Sequence, residues 1–199
     1  MNDPITPFDQ PSMIDLLALN NAHARELSLL DLDRFNILAG SAFLARRIGH
    51  ADAFLLVFDQ DTDYDSPNFL WFRSRYVRFV YVDRIVVAPS ARGRGYARRL
   101  YTELFEHASR TGHTHVVCEV NADPPNPVSD AFHAALGFAP VGAATIQGGG
   151  KTVRYFCRAL TAAERPGVKP LSPTPSPATP VRGSPACRYG SRRRRSTHR

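Results

Sequence analysis

The segment from Val80 to Ala97, VYVDRIVVAPSARGRGYA, constrains the fold of this chain more narrowly than any other. Its apolar first half predicts a buried strand over Phe79–Val87, which must end before Pro89 because proline lacks a backbone donor. The glycines that follow open a predicted helix over Gly95–Arg110, whose apolar residues recur at the spacing of one helical face. A buried strand that enters a helix through a glycine turn indicates a mixed α/β domain.

The turn between this strand and this helix has the chemistry of an anion site. The first amides of a helix lack partners inside the helix, and the helix dipole adds positive potential at the same end. Glycines let a phosphate group approach the backbone closely, and arginines add charge-assisted hydrogen bonds. The turn lacks the Lys-Ser/Thr ending of a nucleotide-binding P-loop and the glycine spacing of a dinucleotide fold. The residues predicted to bind the anion are Arg92, Gly93, Arg94, Gly95, Tyr96 and Ala97.

The rest of the globular part alternates between helical and extended patterns. Helices are predicted over Met13–Ala22, Leu29–Ala39 and Ser129–Leu136, the last capped by Ser129 and ended by Gly137. Strands are predicted over 43–48, 53–58, 115–120, 139–143 and 152–158. The aromatic-rich stretch Phe69–Val77 is ambiguous, and its rings are expected to supply core and part of a binding pocket.

The chain changes character after Leu160. Residues 161–199 hold nine of the 25 basic side chains and one of the 18 acidic ones, so the net charge of +7 belongs to this segment. The prolines and polar residues from Pro166 to Pro185 cannot bury enough surface to offset the entropy of ordering. We therefore expect a globular domain over 1–160 and a disordered tail over 161–199, which either contacts nucleic acid by charge or is simply solvated.

Cysteine content and hydropathy exclude several classes of protein. Three cysteines without a CxxC pair argue against a disulfide scaffold and a zinc site, so no metal is expected. The longest purely apolar run, Ala53–Phe58, is far too short for a membrane span, and the N-terminus lacks a signal-peptide pattern. These features predict a cytoplasmic protein that does not contact membranes.

Two motifs together resemble the GNAT superfamily of acetyl-CoA-dependent N-acetyltransferases. Arg92 to Ala97 matches that family's motif A, in which Arg or Gln is followed three residues later by Gly and five residues later by Gly or Ala. Further along, Ser129–Phe138, SDAFHAALGF, is similar to motif B, a short helix after the fifth strand. The order and spacing of both motifs agree, and the resemblance extends from about Met13 to Leu160.

The resemblance implies a largely antiparallel sheet, flanked by helices, whose fourth and fifth strands splay apart. Here those strands are Phe79–Val87 and His115–Val120. Acetyl-CoA would be the acyl donor, with its pantetheine arm in the gap and its diphosphate on the glycine turn. The further residues implied to bind it are Ile85, Val86 and Val87 through their backbone, and Asn126 and Ser129 near the thiol end.

The implied reaction is direct transfer of the acetyl group to a primary amine of a small molecule or a protein. Asn20, Glu26 and Tyr81 are the candidates for binding the acceptor. The alternative is a non-catalytic module that binds acyl-CoA and uses its basic tail to reach nucleic acid. Dimers are frequent in the family, so a homodimer is a further expectation.

Two carboxylates are candidates for the general base that removes the ammonium proton of the acceptor. Glu119 and Asp83 lie on predicted central strands, where burial raises a carboxyl pKa towards neutrality. In the other interpretation, Asp83 pairs with Arg84 or Arg78 and only stabilises the sheet. Regular alternation along the strand places Tyr81, Asp83, Ile85 and Val87 on one face.

His133 occupies the position where motif B usually has Tyr. A histidine there could protonate the departing thiolate at neutral pH. In the second interpretation, it is a structural substitution that no longer acts as an acid.

The segment Asp59–Asp65 carries carboxylates at every second position. It lacks the glycine and the terminal glutamate of a calcium loop. It is interpreted either as a solvated acidic loop or as a lid that attracts a cationic substrate.

Overall fold

The computed structural model describes residues 3–146 and 151–161. These residues form one sheet with the strand order β1-β2-β3-β4-β5-β7-β6. The strands are β1 (Ile5–Pro7), β2 (Leu44–Ile48), β3 (Ala53–Asp59), β4 (Phe79–Val87), β5 (His115–Asp123), β6 (Ala139–Ile146) and β7 (Lys151–Ala159). The helices are α1 (Met13–Ala22), α2 (Leu32–Ser41), α3 (Pro67–Arg73), α4 (Tyr96–Arg110) and α5 (Pro127–Ala135), with short 3-10 turns at Gln10–Ser12 and Pro89–Ala91.

Neighbouring strands run antiparallel except for β4 and β5, which are parallel. The predicted mixed and largely antiparallel α/β fold is therefore confirmed. The short edge strand β1 is missing from the prediction because three residues are too few to show a period-two pattern.

Helix caps explain where the observed bounds differ from the predicted ones. α2 begins at Leu32 because the Asp31 carboxylate accepts a hydrogen bond from the Arg34 amide at 2.7 Å. α5 begins at Pro127 because Asn126, and not Ser129, is its cap. The Asn126 side chain accepts from the Ser129 amide at 3.1 Å.

The ambiguous aromatic stretch lies mostly in α3, which starts with Pro67 at its first position. Its rings pack under the sheet, so they supply core as expected.

Both faces of the sheet are buried. α4 covers one face, where Leu55, Val80, Val82, Val116, Leu100 and Leu104 pack together. α1, α2 and α3 cover the other face, where Phe54, Phe79, Tyr81, Leu16, Phe35 and Phe72 lie. Each fully buried Leu or Phe side chain contributes about 1.5–3 kcal/mol, so the sheet is held rigidly from both sides.

β4 and β5 pair only through their first residues. Phe79, Val80 and Tyr81 pair with His115, Val116 and Val117, and within the described residues the pairing stops there. β4 stays paired with β3 up to Val87, and β5 stays paired with β7 up to Asp123. The two strands therefore splay apart, and each presents an unpaired edge to the gap.

A β-bulge interrupts β4 where the gap opens. The consecutive β3 residues Leu56 and Val57 pair with Arg84 and Val82, which leaves Asp83 without a partner on β3. A bulge shifts the alternation of side chains by one residue and re-aims those around it.

The bulge corrects the predicted face of β4. Ile85 and Val87 pack on the α4 side of the sheet, whereas Tyr81 packs on the opposite side. The prediction that these residues and Asp83 share one face is wrong, because it assumed an unbroken period of two.

None of the helices in the described part of the chain is long and apolar enough to cross a membrane. The predicted tail lies outside the described residues apart from Thr161, and so do residues 147–150 between β6 and β7.

Candidate active site

The glycine turn before α4 has the backbone of an anion cradle. Gly93 and Gly95 have positive φ angles of 78° and 76°, which residues with a Cβ rarely adopt. A Cβ built on either glycine would meet nothing within 4 Å, so the backbone conformation and not crowding requires glycine here. Within residues 3–146 and 151–161, the amides from Gly93 to Arg98 donate to no backbone or side-chain acceptor.

The side chains of this turn point in different directions. Arg92 and Arg94 are exposed, and Arg92 Nη2 lies 3.3 Å from His23 Nε2. Tyr96 is buried, and its hydroxyl donates to the carboxylate of Asp3. The turn therefore offers two exposed cations and a row of free amides to an anion.

Glu119 lies on β5 just past the point where the strands separate. Its Oε1 accepts two hydrogen bonds, from the Tyr81 hydroxyl and from Asn68 Nδ2, each at 3.0 Å. Its Oε2 is buried and has no hydrogen-bond partner among the described residues. One carboxylate oxygen is thus fixed, and the other is free to take a proton.

The surroundings of Glu119 raise its pKa from 4.5 to about 7. Burial is the largest cause, and the negative charge of Asp83 is the second. The hydrogen bonds from Tyr81 and Asn68 act in the opposite direction because they stabilise the carboxylate. Burial also raises the pKa of Tyr81 well above its usual value, so its hydroxyl remains a donor.

Asp83 is held in an ion pair. Its Oδ2 lies 2.9 Å from Arg84 Nε, although the two groups lack the alignment of a hydrogen bond. Its Oδ1 accepts from the Tyr64 hydroxyl at 2.8 Å. Burial raises the pKa of Asp83, and Arg84 opposes that effect. The structure thus shows the predicted pairing of Asp83 with Arg84, whereas Glu119 forms no ion pair within residues 3–146 and 151–161.

Arg84 connects this pair to the segment between α1 and α2. Its Nη1 donates to Asn20 Oδ1 at 2.8 Å, and its Nη2 donates to Ser28 Oγ at 3.1 Å. Asn20 is fully buried, so its side chain belongs to this hydrogen-bond network and is not accessible from solvent.

Glu26 lies in the same segment with its side chain exposed. Its backbone carbonyl accepts from Asn121 Nδ2 at 3.2 Å and from Lys151 Nζ at 3.0 Å. The segment between α1 and α2 is therefore tied to β4 through Arg84, to β5 through Asn121 and to β7 through Lys151.

His133 is enclosed between α4, α5 and β7, with 2% of its surface exposed. Its Nε2 lies 2.8 Å from the Tyr101 hydroxyl, and its Nδ1 lies 2.8 Å from the Ser129 carbonyl oxygen. Burial lowers its pKa, so the ring is neutral at pH 7. Nε2 links α5 to α4, and Nδ1 bonds within α5, which favours the structural interpretation of this residue.

The remaining motif B residues have similar local contacts. Asn126 caps α5, and the Ser129 hydroxyl lies 3.2 Å from His133 Nδ1. Neither position needs a ligand to satisfy its side chain.

The acidic loop between β3 and α3 is anchored beside the carboxylates. Tyr64 reaches Asp83 with its hydroxyl and packs its ring against Phe58, Phe69 and Tyr81. Asp65 lies 3.5 Å from Arg34 and is largely exposed. The loop that carries these exposed carboxylates is therefore anchored to the site through Tyr64.

The structure brings Glu119, Asp83 and Tyr81 together and adds two residues that sequence reasoning missed. These are Asn68 and Tyr64, which touch the two carboxylates. The Ser66-Pro67 pair, which starts α3, is the signal that could have placed Asn68 on a helix facing the sheet.

Comparisons with known proteins agree with this fold. The family model for the acetyltransferase (GNAT) family matches residues 16–138. The ribosomal-protein-S18-alanine N-acetyltransferase from Escherichia coli is 18% identical, with a TM-score of 0.56 over 81% of this chain and 95% of that one. An N-acetyltransferase from Staphylococcus aureus is 15% identical, with a TM-score of 0.59 over 81% of this chain and 100% of that one.

A GNAT superfamily phosphinothricin acetyltransferase from Sinorhizobium meliloti, solved in complex with acetyl-CoA, is 17% identical. Its TM-score is 0.61 over 87% of this chain and 95% of that one. A comparison with curated proteins gives no match.

A splayed sheet, a free-amide turn and a matching family model over most of the globular part define an acetyltransferase. The chain belongs to the GNAT family. The solved relatives share its fold, and their identities are too low to carry an acceptor over to this chain.

Proposed function

We propose that the protein transfers the acetyl group of acetyl-CoA directly to a primary amine, with Glu119 as the general base. The observation that carries this proposal is the carboxyl of Glu119, which has a pKa of about 7 and one free oxygen beside the gap. A primary amine is protonated at neutral pH and attacks only after it has lost a proton. A base works best when its pKa lies near the working pH, and Glu119 meets that condition.

The gap and the turn before α4 fit a long ligand with an anionic end. The unpaired edge of β4 at Ile85, Val86 and Val87 offers backbone groups to the amides of a pantetheine arm. The free amides from Gly93 to Arg98 would hold its diphosphate, with Arg92 and Arg94 adding charge. Acetyl-CoA, when bound, supplies an acetyl group activated as a thioester.

Each polar group near the gap then has a distinct role. An amide at Val87 or beside it would polarise the thioester carbonyl. Asp83 is paired with Arg84, so we assign it no proton transfer; its negative charge adds to the effect of burial in raising the pKa of Glu119. His133 holds α5 against α4, and the thiolate, a tolerable leaving group, departs without it.

The charge around the site favours a cationic acceptor. Residues 1–160 are nearly neutral overall, while the loop Asp59–Asp65 places exposed carboxylates on the side of Tyr64. An acidic rim attracts an ammonium group by long-range steering. We therefore propose a small amine or an exposed amine of a peptide as the acceptor, with Glu26 and the Tyr81 hydroxyl near its path.

Thiol release from acetyl-CoA by the full chain tests this proposal. The assay uses a panel of amines, polyamines, amino acids and peptides, and calorimetric titration with acetyl-CoA runs beside it. Release with any acceptor supports the transferase. Binding of acetyl-CoA without release across the panel supports the non-catalytic module. The absence of both binding and release refutes the proposed function.

A pair of variants separates chemistry from binding. Glu119→Gln removes the base and should lower the release rate by about 10²–10⁴-fold while acetyl-CoA still binds. Glu106→Gln removes one exposed carboxylate from α4 and should change neither property.

A further inference from the structure

Three side chains from distant parts of the chain form a line that ends on Glu119. The Tyr155 hydroxyl donates to Asn68 Oδ1 at 3.0 Å, and Asn68 Nδ2 donates to Glu119 Oε1 at 3.0 Å. Asn68 lies on α3 and Tyr155 on β7, so the line joins the helix that covers the sheet to two of its strands.

We propose that Asn68 and Tyr155 are positioning residues that fix the orientation of the Glu119 carboxylate for proton transfer. This inference rests on the proposed role of Glu119 as base. Asn68 acts through its hydrogen bond to Glu119, and Tyr155 acts through Asn68.

The fold leaves these side chains little freedom. Glu119 and Tyr155 stand directly opposite each other in the antiparallel pair of β5 and β7, so both project from the same face of the sheet. The Tyr155 ring stacks on Trp71 of α3 at a centroid distance of 4.2 Å. Asn68 is 8% exposed and sits between the two, with both ends of its amide hydrogen-bonded.

The direction of the hydrogen bonds decides what Asn68 does. A carboxamide has a donor end and an acceptor end of nearly the same shape. An ionised carboxylate only accepts, so Glu119 turns Nδ2 towards itself, and the Tyr155 hydroxyl donates to Oδ1 on the other side of the amide. Without that hydroxyl, the amide would be held at its Glu119 end alone.

The two carboxylate oxygens of Glu119 therefore have different roles. Oε1 receives both donors, Asn68 Nδ2 and the Tyr81 hydroxyl, while Oε2 receives none within the described residues. The carboxylate cannot rotate without losing two hydrogen bonds, so Oε2 stays the oxygen that accepts a proton. Both donors also stabilise the charged form and keep the carboxyl from titrating still higher.

The other titratable or charged groups around Glu119 come from four elements. They are Tyr81, Asp83 and Arg84 on β4, Tyr64 before α3, Tyr101 on α4, and Cys118 beside Glu119 on β5. The variants proposed below leave all of these groups in place.

Carbon-13 NMR of the glutamate carboxyls tests the inference without any need for transfer. The chain has five glutamates, and Glu119→Gln identifies the resonance of Glu119. Asn68→Leu keeps a similar volume and removes the donor. The midpoint of the Glu119 titration should rise by about one pH unit, because a hydrogen bond to the charged form is lost. Tyr155→Phe should raise it by a smaller amount, because the Asn68 amide loses its second anchoring hydrogen bond and holds the carboxylate less firmly.

Tyr76→Phe is the matched control, because it removes a hydroxyl that contacts Cys157 on the same strand as Tyr155 and does not touch Glu119. It should leave the midpoint unchanged. An unchanged or lowered midpoint in Asn68→Leu overturns the inference. If that variant does not fold, an unchanged midpoint in Tyr155→Phe overturns it instead.

Transfer kinetics then separate this inference from the proposed function. If the wild type transfers acetyl groups, the acidic limb of kcat/KM should move upward in Asn68→Leu together with the NMR midpoint. If the midpoint moves while the wild type shows no transfer with any acceptor, the line of hydrogen bonds stands as an influence on Glu119, and the role of Glu119 as base fails.

Discussion

Replacing Glu119 with Gln should stabilise the folded protein at alkaline pH while it removes the proposed base. The pKa of this carboxyl rises from 4.5 to about 7, mainly because of burial. The unfolded chain therefore loses its proton first as the pH increases, and the folded chain holds that proton up to about pH 7. Stability falls through this window and remains lower above it. Gln carries no proton to lose, so the variant escapes this loss.

The expected size follows from the difference of about 2.5 pH units between the two states. One pH unit corresponds to about 1.4 kcal/mol, so the full cost above pH 7 is about 3 kcal/mol. Between about pH 5 and about pH 8, the wild type should lose about 2.5 kcal/mol relative to the variant. The new Gln amide group stands where Oε2 has no hydrogen-bond partner, and its burial costs free energy. That cost is the same at every pH, so it cancels from the difference between about pH 5 and about pH 8.

Urea denaturation at several pH values between about 5 and 8 measures this effect. All other titrating groups are common to both proteins, so the difference between their free energies of unfolding isolates Glu119. Glu106→Gln serves as control and should differ from the wild type by less than about 0.5 kcal/mol, because Glu106 is exposed. If the difference in free energy of unfolding between wild type and Glu119→Gln stays constant with pH, the raised pKa of the buried Glu119 carboxyl is refuted.

Three further predictions concern the turn, the ion pair and motif B. Gly95→Ala should lower the free energy of unfolding by about 1–2 kcal/mol in thermal denaturation and raise the KM for acetyl-CoA, because the φ angle of Gly95 is 76°. Gly40 has equal space for a Cβ but lies in a helix, so Gly40→Ala should stabilise the protein by about 0.5–1 kcal/mol. Arg84→Met should cost about 3–5 kcal/mol by urea denaturation at neutral pH, and adding Asp83→Asn should recover part of it; no recovery would contradict the ion pair. His133→Gln should lower the melting temperature, because the hydrogen bond to Tyr101 is lost. The loss of a general acid lowers kcat by about 100-fold or more, and kcat of this variant should fall by less than that.

The sequence predicts secondary structure well where the pattern is local. The bounds of α1 and β4 match, because a run of apolar helix formers and a proline stop act within a few residues. The glycine turn is recognisable for the same reason, since positive φ angles leave glycine as the natural residue. The nearly neutral domain and the carboxylates of the central strands were also visible in the sequence.

The arrangement around the carboxylates depends on long-range pairing and could not be read from the sequence. In a regular strand, Asp83 and Arg84 would point to opposite faces, and their ion pair exists because the bulge breaks the alternation. A bulge is a property of how β3 meets β4, and neither strand shows it alone. Asn68 and Tyr155 look like ordinary core residues until the fold places them on one line with Glu119.

The pH dependence of kcat/KM for wild type and Glu119→Gln, with an acceptor found in the release panel, tests the central claim most directly. Glu119 must be ionised to accept a proton, so the wild-type rate should rise with pH through an apparent pKa of about 7 and level off above it. The variant should be slower by about 10²–10⁴-fold and should lose that ionisation from its profile. A variant that keeps both the wild-type rate and the same acidic limb would show that another group is the base.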